Sequence, residues 1–255
     1  MVILSSALLA GFPHGFTTRH GGVSRAPWES LNLGGATGDD RAAVEENWGR
    51  LRQETGLGFA RVRQVHGCRV VTRGEAGGAG DEADEADEAD AVVTARPGLA
   101  ASVLTADCVP ILIGDPRTGA VAAAHAGWRG TLARVAATAV EALVREFGAH
   151  PENLLVAVGP AIGPCCYEVS PDLAERFVAE IGPSVAMLHP RTPRVDLWSA
   201  NEAVLRAAGV PPERIEIIDR CTACDAESFF SHRRDGARTG RQVGFIAPAR
   251  TPFLD

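Results

Sequence analysis

Short apolar runs bounded by turn residues alternate with longer amphipathic stretches along nearly all of the 255-residue chain, and that alternation most restricts its fold. Runs too short for helices read as strands, whereas apolar residues at three- and four-residue spacing read as helices. Residues 39–55 read as a helix, with Asp39 and Asp40 as N-cap candidates, Val44, Trp48 and Leu51 on one face, and Gly56 as the stop. Residues 61–67 alternate and read as a short strand that carries His66 to its end. Further strands are expected at 91–94, 101–105, 109–114 and 120–124, the last running into His125. Residues 131–147 read as one long amphipathic helix ended by Gly148. A buried strand at 154–158, helices at 171–181 and 197–208 (the second capped by Asp196), and late strands at 215–218 and 243–247 complete the series. Between 74 and 90 the composition shifts to Gly, Ala, Asp and Glu with an Asp-Glu-Ala repeat, which reads as a solvated loop. No linker interrupts the pattern, so one α/β domain over residues 1–255 is expected.

Charge and residue usage narrow the function. The net charge of −7 argues against a nucleic-acid partner. All 25 basic residues are arginine; with no lysine, a Walker-type phosphate loop and Schiff-base chemistry are both excluded. A bound anion must therefore be held by arginine or backbone N–H groups. No run approaches the ~18 apolar residues of a membrane span. The opening residues 1–10 are apolar but lack a basic segment, so a cytoplasmic protein is expected. Six cysteines in a chain of this size do not suggest a disulfide framework, and the adjacent pair Cys165-Cys166 suits a loop constraint poorly. The Cys221-Thr222-Ala223-Cys224 motif has no second CxxC to complete a zinc ribbon and lies too late for a thioredoxin-like pair, so packing is its expected role.

Three chain reversals carry the chemistry. His66-Gly67 ends one strand, Thr105-Ala106-Asp107-Cys108 lies between two, and His125-Ala126-Gly127-Trp128-Arg129 joins a strand to a helix. Two His and one Cys make a catalytic zinc set with a fourth position left open. The bland reading stands beside it: Cys108 as core, the histidines as hydrogen-bonding residues, with none of the short paired spacing of a zinc finger.

Quoted in order, Ser30-Leu31-Asn32-Leu33-Gly34, Gln64-Val65-His66-Gly67, Asp90-Ala91-Val92-Val93-Thr94, Thr105-Ala106-Asp107-Cys108-Val109-Pro110 and His125-Ala126-Gly127-Trp128-Arg129-Gly130-Thr131 resemble the signatures of one family. The segment from Gly159-Pro160-Ala161-Ile162-Gly163 through Cys165-Cys166-Tyr167-Glu168-Val169, and Phe229-Phe230-Ser231-His232-Arg233-Arg234-Asp235, continue the series. The chain resembles the YfiH family, also described as laccase-domain or polyphenol oxidase proteins, peptidoglycan editing factors and purine nucleoside phosphorylases, from about Phe16 to Gly244. The resemblance implies a single α/β domain with a mixed sheet flanked by helices. It implies His66, Cys108 and His125 as ligands of one zinc ion per chain. It also implies phosphorolysis of adenosine, inosine, guanosine and methylthioadenosine, with adenosine deamination as a side activity. The acidic repeat and Cys224 depart from the family pattern.

Within that reading, Asp107 is a proton shuttle or a residue orienting a ligand, and Arg129, near the start of the helix at 131, is the foremost phosphate binder. Arg233, Arg234 and Arg241 are further phosphate candidates, and Asn32, Gln64 and Tyr167 are candidates for contact with ribose or base. Two rivals follow from the family's other descriptions. A copper-dependent polyphenol oxidase fits poorly with seven histidines and no His-x-His pair, although a His/Cys/His site also takes copper. A role in editing peptidoglycan precursors is not decided by any residue. Purine nucleosides and phosphate are the expected partners.

Overall fold

The computed structural model describes residues 1–74, 87–189 and 191–249, over which two mixed sheets lie face to face between layers of helix. The five-stranded sheet runs β1 (Ile3–Leu4), β2 (His14–Thr17), β13 (Gln242–Ile246), β6 (Leu99–Thr105), β3 (Gly58–Ala60). The six-stranded sheet runs β12 (Ile215–Ile217), β9 (Leu155–Val158), β7 (Val109–Gly114), β8 (Val121–Ala126), β5 (Ala91–Thr94), β4 (Val70–Arg73). The pairs β3–β6, β9–β12 and β4–β5 are parallel and the remaining neighbours antiparallel. A separate antiparallel pair joins β10 (Ala186–Met187) and β11 (Arg194–Val195).

Burial on both faces explains why these strands read as continuous apolar runs. In β7, Leu112 enters the layer between the sheets with Phe16, Val103, Val121 and Ala157. Its neighbours Ile111 and Ile113 face the opposite way, toward the helices. There α3 (Val135–Phe147) packs Ala136, Ala139, Val140 and Leu143 over the alanines of β8, small side chains that allow close approach. Helices α2 (Trp128–Leu132), α4 (Pro171–Glu180) and α5 (Leu197–Ala207) share that layer. On the other side α1 (Arg41–Thr55) buries Trp48 and Leu51 against Phe59, Val243 and Phe245. As expected, the Asp40 side chain caps α1 by accepting from the Ala42 N–H, and Gly56 ends it at φ +69°. One turn of helix, α6 (His232–Asp235), is capped by Ser231.

Two expectations are corrected. Residues 61–67 form no strand, because the backbone N–H groups of Val65, His66 and Gly67 donate to the Asp90 carboxylate and not to a neighbouring strand. The helix expected at 131–147 is two helices, broken where Arg134 takes a left-handed φ of +60°. Most of the acidic repeat, residues 75–86, lies outside the described residues; beyond it, Asp87 pairs with Arg69 and Arg73, and Glu88 with Arg63. Among the described residues no helix is long and apolar enough to cross a membrane.

Candidate metal centre

Where β6 of one sheet runs through Ala106, Asp107 and Cys108 into β7 of the other, Cys108 is left half-buried at the crossing. His125, near the end of β8, pairs with Pro110 of β7 and so lies beside it. His66 arrives from a turn in a left-handed conformation, φ +61°, and its ring meets that of His125 edge-on at 4.9 Å between centroids. One ligand atom from each of His66, Cys108 and His125 lies within 4.8 Å of the others. The three residues foreseen as ligands are therefore together. Gly127 makes room for them: a Cβ there would stand 2.9 Å from the Cys108 sulfur and 3.2 Å from the His66 ring.

The residue that organises this centre is Asp90, which is fully buried. Its carboxylate accepts the N–H groups of Val65, His66 and Gly67 at 3.2, 2.9 and 2.6 Å and faces His125 Nδ1 at 2.9 Å. Nδ1 is thereby committed to the carboxylate, which leaves Nε2 for Cys108 or a metal, the arrangement that fixes metal-binding imidazoles elsewhere. Burial pushes the Asp90 carboxyl up, but His125 and these N–H donors outweigh it and hold it below the usual range. Burial likewise raises Cys108, while His125 and His66 pull it down to about 6. Burial lowers His125, and Cys108 with Asp90 brings it up to about 9. The pair thus favours thiolate and imidazolium, and a cation at the site would take the place of the imidazolium proton. Two imidazoles and a thiolate, with an accepting carboxylate behind one ring, fit zinc or copper by donor type.

The centre opens into a cavity of about 500 Å³, within the range of small-molecule sites. Its lining includes Gln64, Asp107, Tyr167, His232, Arg233 and Arg241 beside the three ligands. Gln64 clamps the backbone of Leu104, its amide donating to the carbonyl at 2.8 Å and accepting the N–H at 2.7 Å. Tyr167 lies under the Arg233 guanidinium at 5.2 Å, and its hydroxyl is pushed up to about 12, chiefly by burial and the nearby Cys108. Asp107 holds a left-handed φ of +96°, and both its oxygens are engaged: Oδ1 accepts from the Thr222 hydroxyl and Oδ2 from the Arg233 N–H, each at 2.6 Å.

Arg241 lines the same cavity. Its guanidinium is partly buried in the cavity wall, donates only to the carbonyls of Thr239 and Gly240, and has no ion pair among the described residues. Burial lowers its pKa, opposed by the charges of Cys108 and Asp107.

Three expected contacts are displaced. Asn32 is fully buried behind the cavity wall, where it binds the Gly34 backbone, Thr37, Asp39 and the Arg241 N–H. Arg129 sits inside the five-residue α2, exposed and stacked 4.3 Å over Trp128, and is not among the lining residues. Arg234 is also turned away, toward Phe229, Thr222 and Asp235. Asp90 and Thr222 were not singled out as site residues; the signals were that Asp90 opens the Asp90-Ala91-Val92-Val93-Thr94 signature where the acidic repeat meets β5, and that Thr222 lies inside the CxxC.

The comparisons agree on ancestry. The family model for multi-copper polyphenol oxidoreductase laccase matches residues 13–249. A protein named purine nucleoside phosphorylase from Deinococcus radiodurans is 43% identical, over 93% of this chain and 90% of its own length. The crystal structure of YlmD from Geobacillus stearothermophilus superposes with a TM-score of 0.88 at 36% identity, covering 96% of this chain and 94% of that one. YfiH from Bacillus licheniformis gives 0.86 at 33% identity, with 92% of each chain covered. With the fold and nearly the full length in common, the chain belongs to the laccase-domain family of YfiH and YlmD.

Proposed function

We propose that the protein is a zinc-dependent purine nucleoside phosphorylase acting on adenosine, inosine, guanosine and methylthioadenosine, with adenosine deamination as a side activity. The observation that carries the reading is a single cavity that holds a three-donor metal centre and an arginine with no ion pair among the described residues. The names of the relatives supply the substrate class. When bound, zinc supplies a Lewis acid with one open position for polarising a substrate oxygen or activating water.

The chain's own residues do the rest. Arg241 and Arg233 hold phosphate so that one of its oxygens faces ribose C1′. As that C–O bond forms, the bond from C1′ to the purine nitrogen breaks, and the base leaves with the electron pair and is protonated. Arg129 is assigned to the rim, where its charge still reaches Tyr167. Tyr167 packs against the nucleoside, and Gln64 holds the β6 end of the cavity in place. Asp107, with both oxygens bound, fixes the backbone at Arg233 and the turn before Cys108.

The test is metal content and adenosine turnover, with and without phosphate, in wild type and Cys108→Ala. About one zinc ion lost in the variant, together with phosphate-dependent adenine release, supports the reading. Full activity in Cys108→Ala would overturn it. Bound zinc with no turnover of any nucleoside would move the function to cell-wall precursors. Copper-dependent oxidation of a phenol that survives metal-free dialysis and zinc reloading would favour the oxidase.

A further inference from the structure

Outside the cavity, a second set of soft ligands converges. Cys165 and Cys166 sit in the turn after β9, and Cys221 and Cys224 lie 55 or more residues later, in the loop after β12. The structure brings all four sulfur atoms within 4.8 Å of one another. The Cys224 sulfur is 3.5 Å from that of Cys165 and 3.3 Å from that of Cys166. In a tetrahedral tetrathiolate with metal–sulfur bonds of about 2.3 Å, the sulfur–sulfur edges are about 3.8 Å. The observed spacing is close to that and far beyond the ~2.05 Å of a disulfide. The CxxC motif, which lacks a second CxxC in the sequence, finds its complement in the adjacent pair.

Two further features suit a bound cation with four thiolates. The Gly163 N–H points at the Cys221 sulfur at 3.2 Å, the kind of donor that supports a coordinated thiolate. The two loops are also tied down by guanidinium groups that donate to their carbonyls. Arg233 donates to Cys166 and Glu168, and Arg234 to Thr222 and Ala223. With all four positions filled by protein, the site is closed in the manner of structural zinc.

We propose that Cys165, Cys166, Cys221 and Cys224 form a second, structural zinc site that pins the Tyr167 wall of the cavity to the loop supporting Asp107. Tyr167 follows Cys166 directly, and Thr222, inside the CxxC, donates to Asp107. Binding forms four zinc–sulfur bonds and releases the four thiol protons to water. The site uses none of the three ligands in the cavity, so it stands or falls separately from the proposed function.

The full-length protein, reduced and reloaded with excess zinc, is expected to hold about two ions per chain. Cys221→Ser with Cys224→Ser should keep about one, as should Cys108→Ala, each losing a different ion. X-ray absorption of zinc-loaded Cys108→Ala should show a shell of sulfur alone at about 2.3 Å, a readout that does not depend on the serine variant folding. A nitrogen-containing shell in that variant, no metal retained by it, or unchanged stoichiometry in a folded serine variant would overturn the proposal. So would alkylation of the four thiols at the same rate with and without zinc.

Discussion

At the scale of single residues, the centre depends on a carboxylate that is not itself a metal ligand. Asp90 ties the His66 turn to the His125 ring, so replacing it with Asn should lower zinc affinity about 10- to 100-fold. The same change sets an amide against three N–H donors and should cost about 1–3 kcal/mol of stability. Competition with a chelator and a denaturant titration read the two effects separately. Arg241→Met should raise the KM for phosphate about tenfold or more while leaving phosphate-independent deamination of adenosine unchanged, since a charged hydrogen bond to an anion contributes about 1.5–3 kcal/mol. An equal loss of both activities would instead make Arg241 part of the scaffold. That His66, Cys108 and His125 come together was legible through the family resemblance; on the residues alone, three reversals beside small residues left core packing open as well. Asn32 was misjudged for a physical reason: a polar side chain near a motif can as readily satisfy buried backbone as a substrate, and sequence does not reveal which.

At the scale of elements, strands were easier to place than turns. Runs such as 109–114 and 91–94 match the observed β7 and β5 residue for residue, since two-sided burial keeps both almost wholly apolar, with Thr94 the one hydroxyl. The 61–67 segment alternates like a strand, and Arg63 makes one parallel bridge with Glu88, but the donors of Val65, His66 and Gly67 are claimed by a side chain 23 or more residues away, which no local pattern encodes. The break between α2 and α3 was hidden too, because Arg134 sits in a left-handed conformation where glycine would have announced it. Such a residue costs about 1–2 kcal/mol. Arg134→Gly should therefore raise stability by up to about 1 kcal/mol, measured from the urea midpoint, after the entropic cost of glycine. Arg134→Val, with a branched Cβ in that conformation, should lower it.

For the whole molecule, paired carboxyls set the response to acid. Burial pushes Asp235 and Asp225 up, but Arg234 with the Ser231 N–H, and Arg220 with Ser228, hold them below the usual range. Their folded values lie below the unfolded value of about 3.9, so the stability they contribute is complete above that pH and disappears as pH falls through the folded values. The melting temperature should thus be flat near neutrality and fall below about pH 4, and Asp235→Asn should be less stable at pH 7 with a shallower acid limb. The order of the five-stranded sheet has a further effect. Its middle strand, β13, is the last strand of the described chain, and it fills the space between β2 and β6, which were made long before. While the chain is emerging from the ribosome, β2 and β6 have bare edges and the Phe16 layer has no lid, so folding of this half must wait until β13 has been made and released. A nascent chain stalled before Gln242 would expose two templates for strand addition and depend on holding factors in a way the finished protein does not.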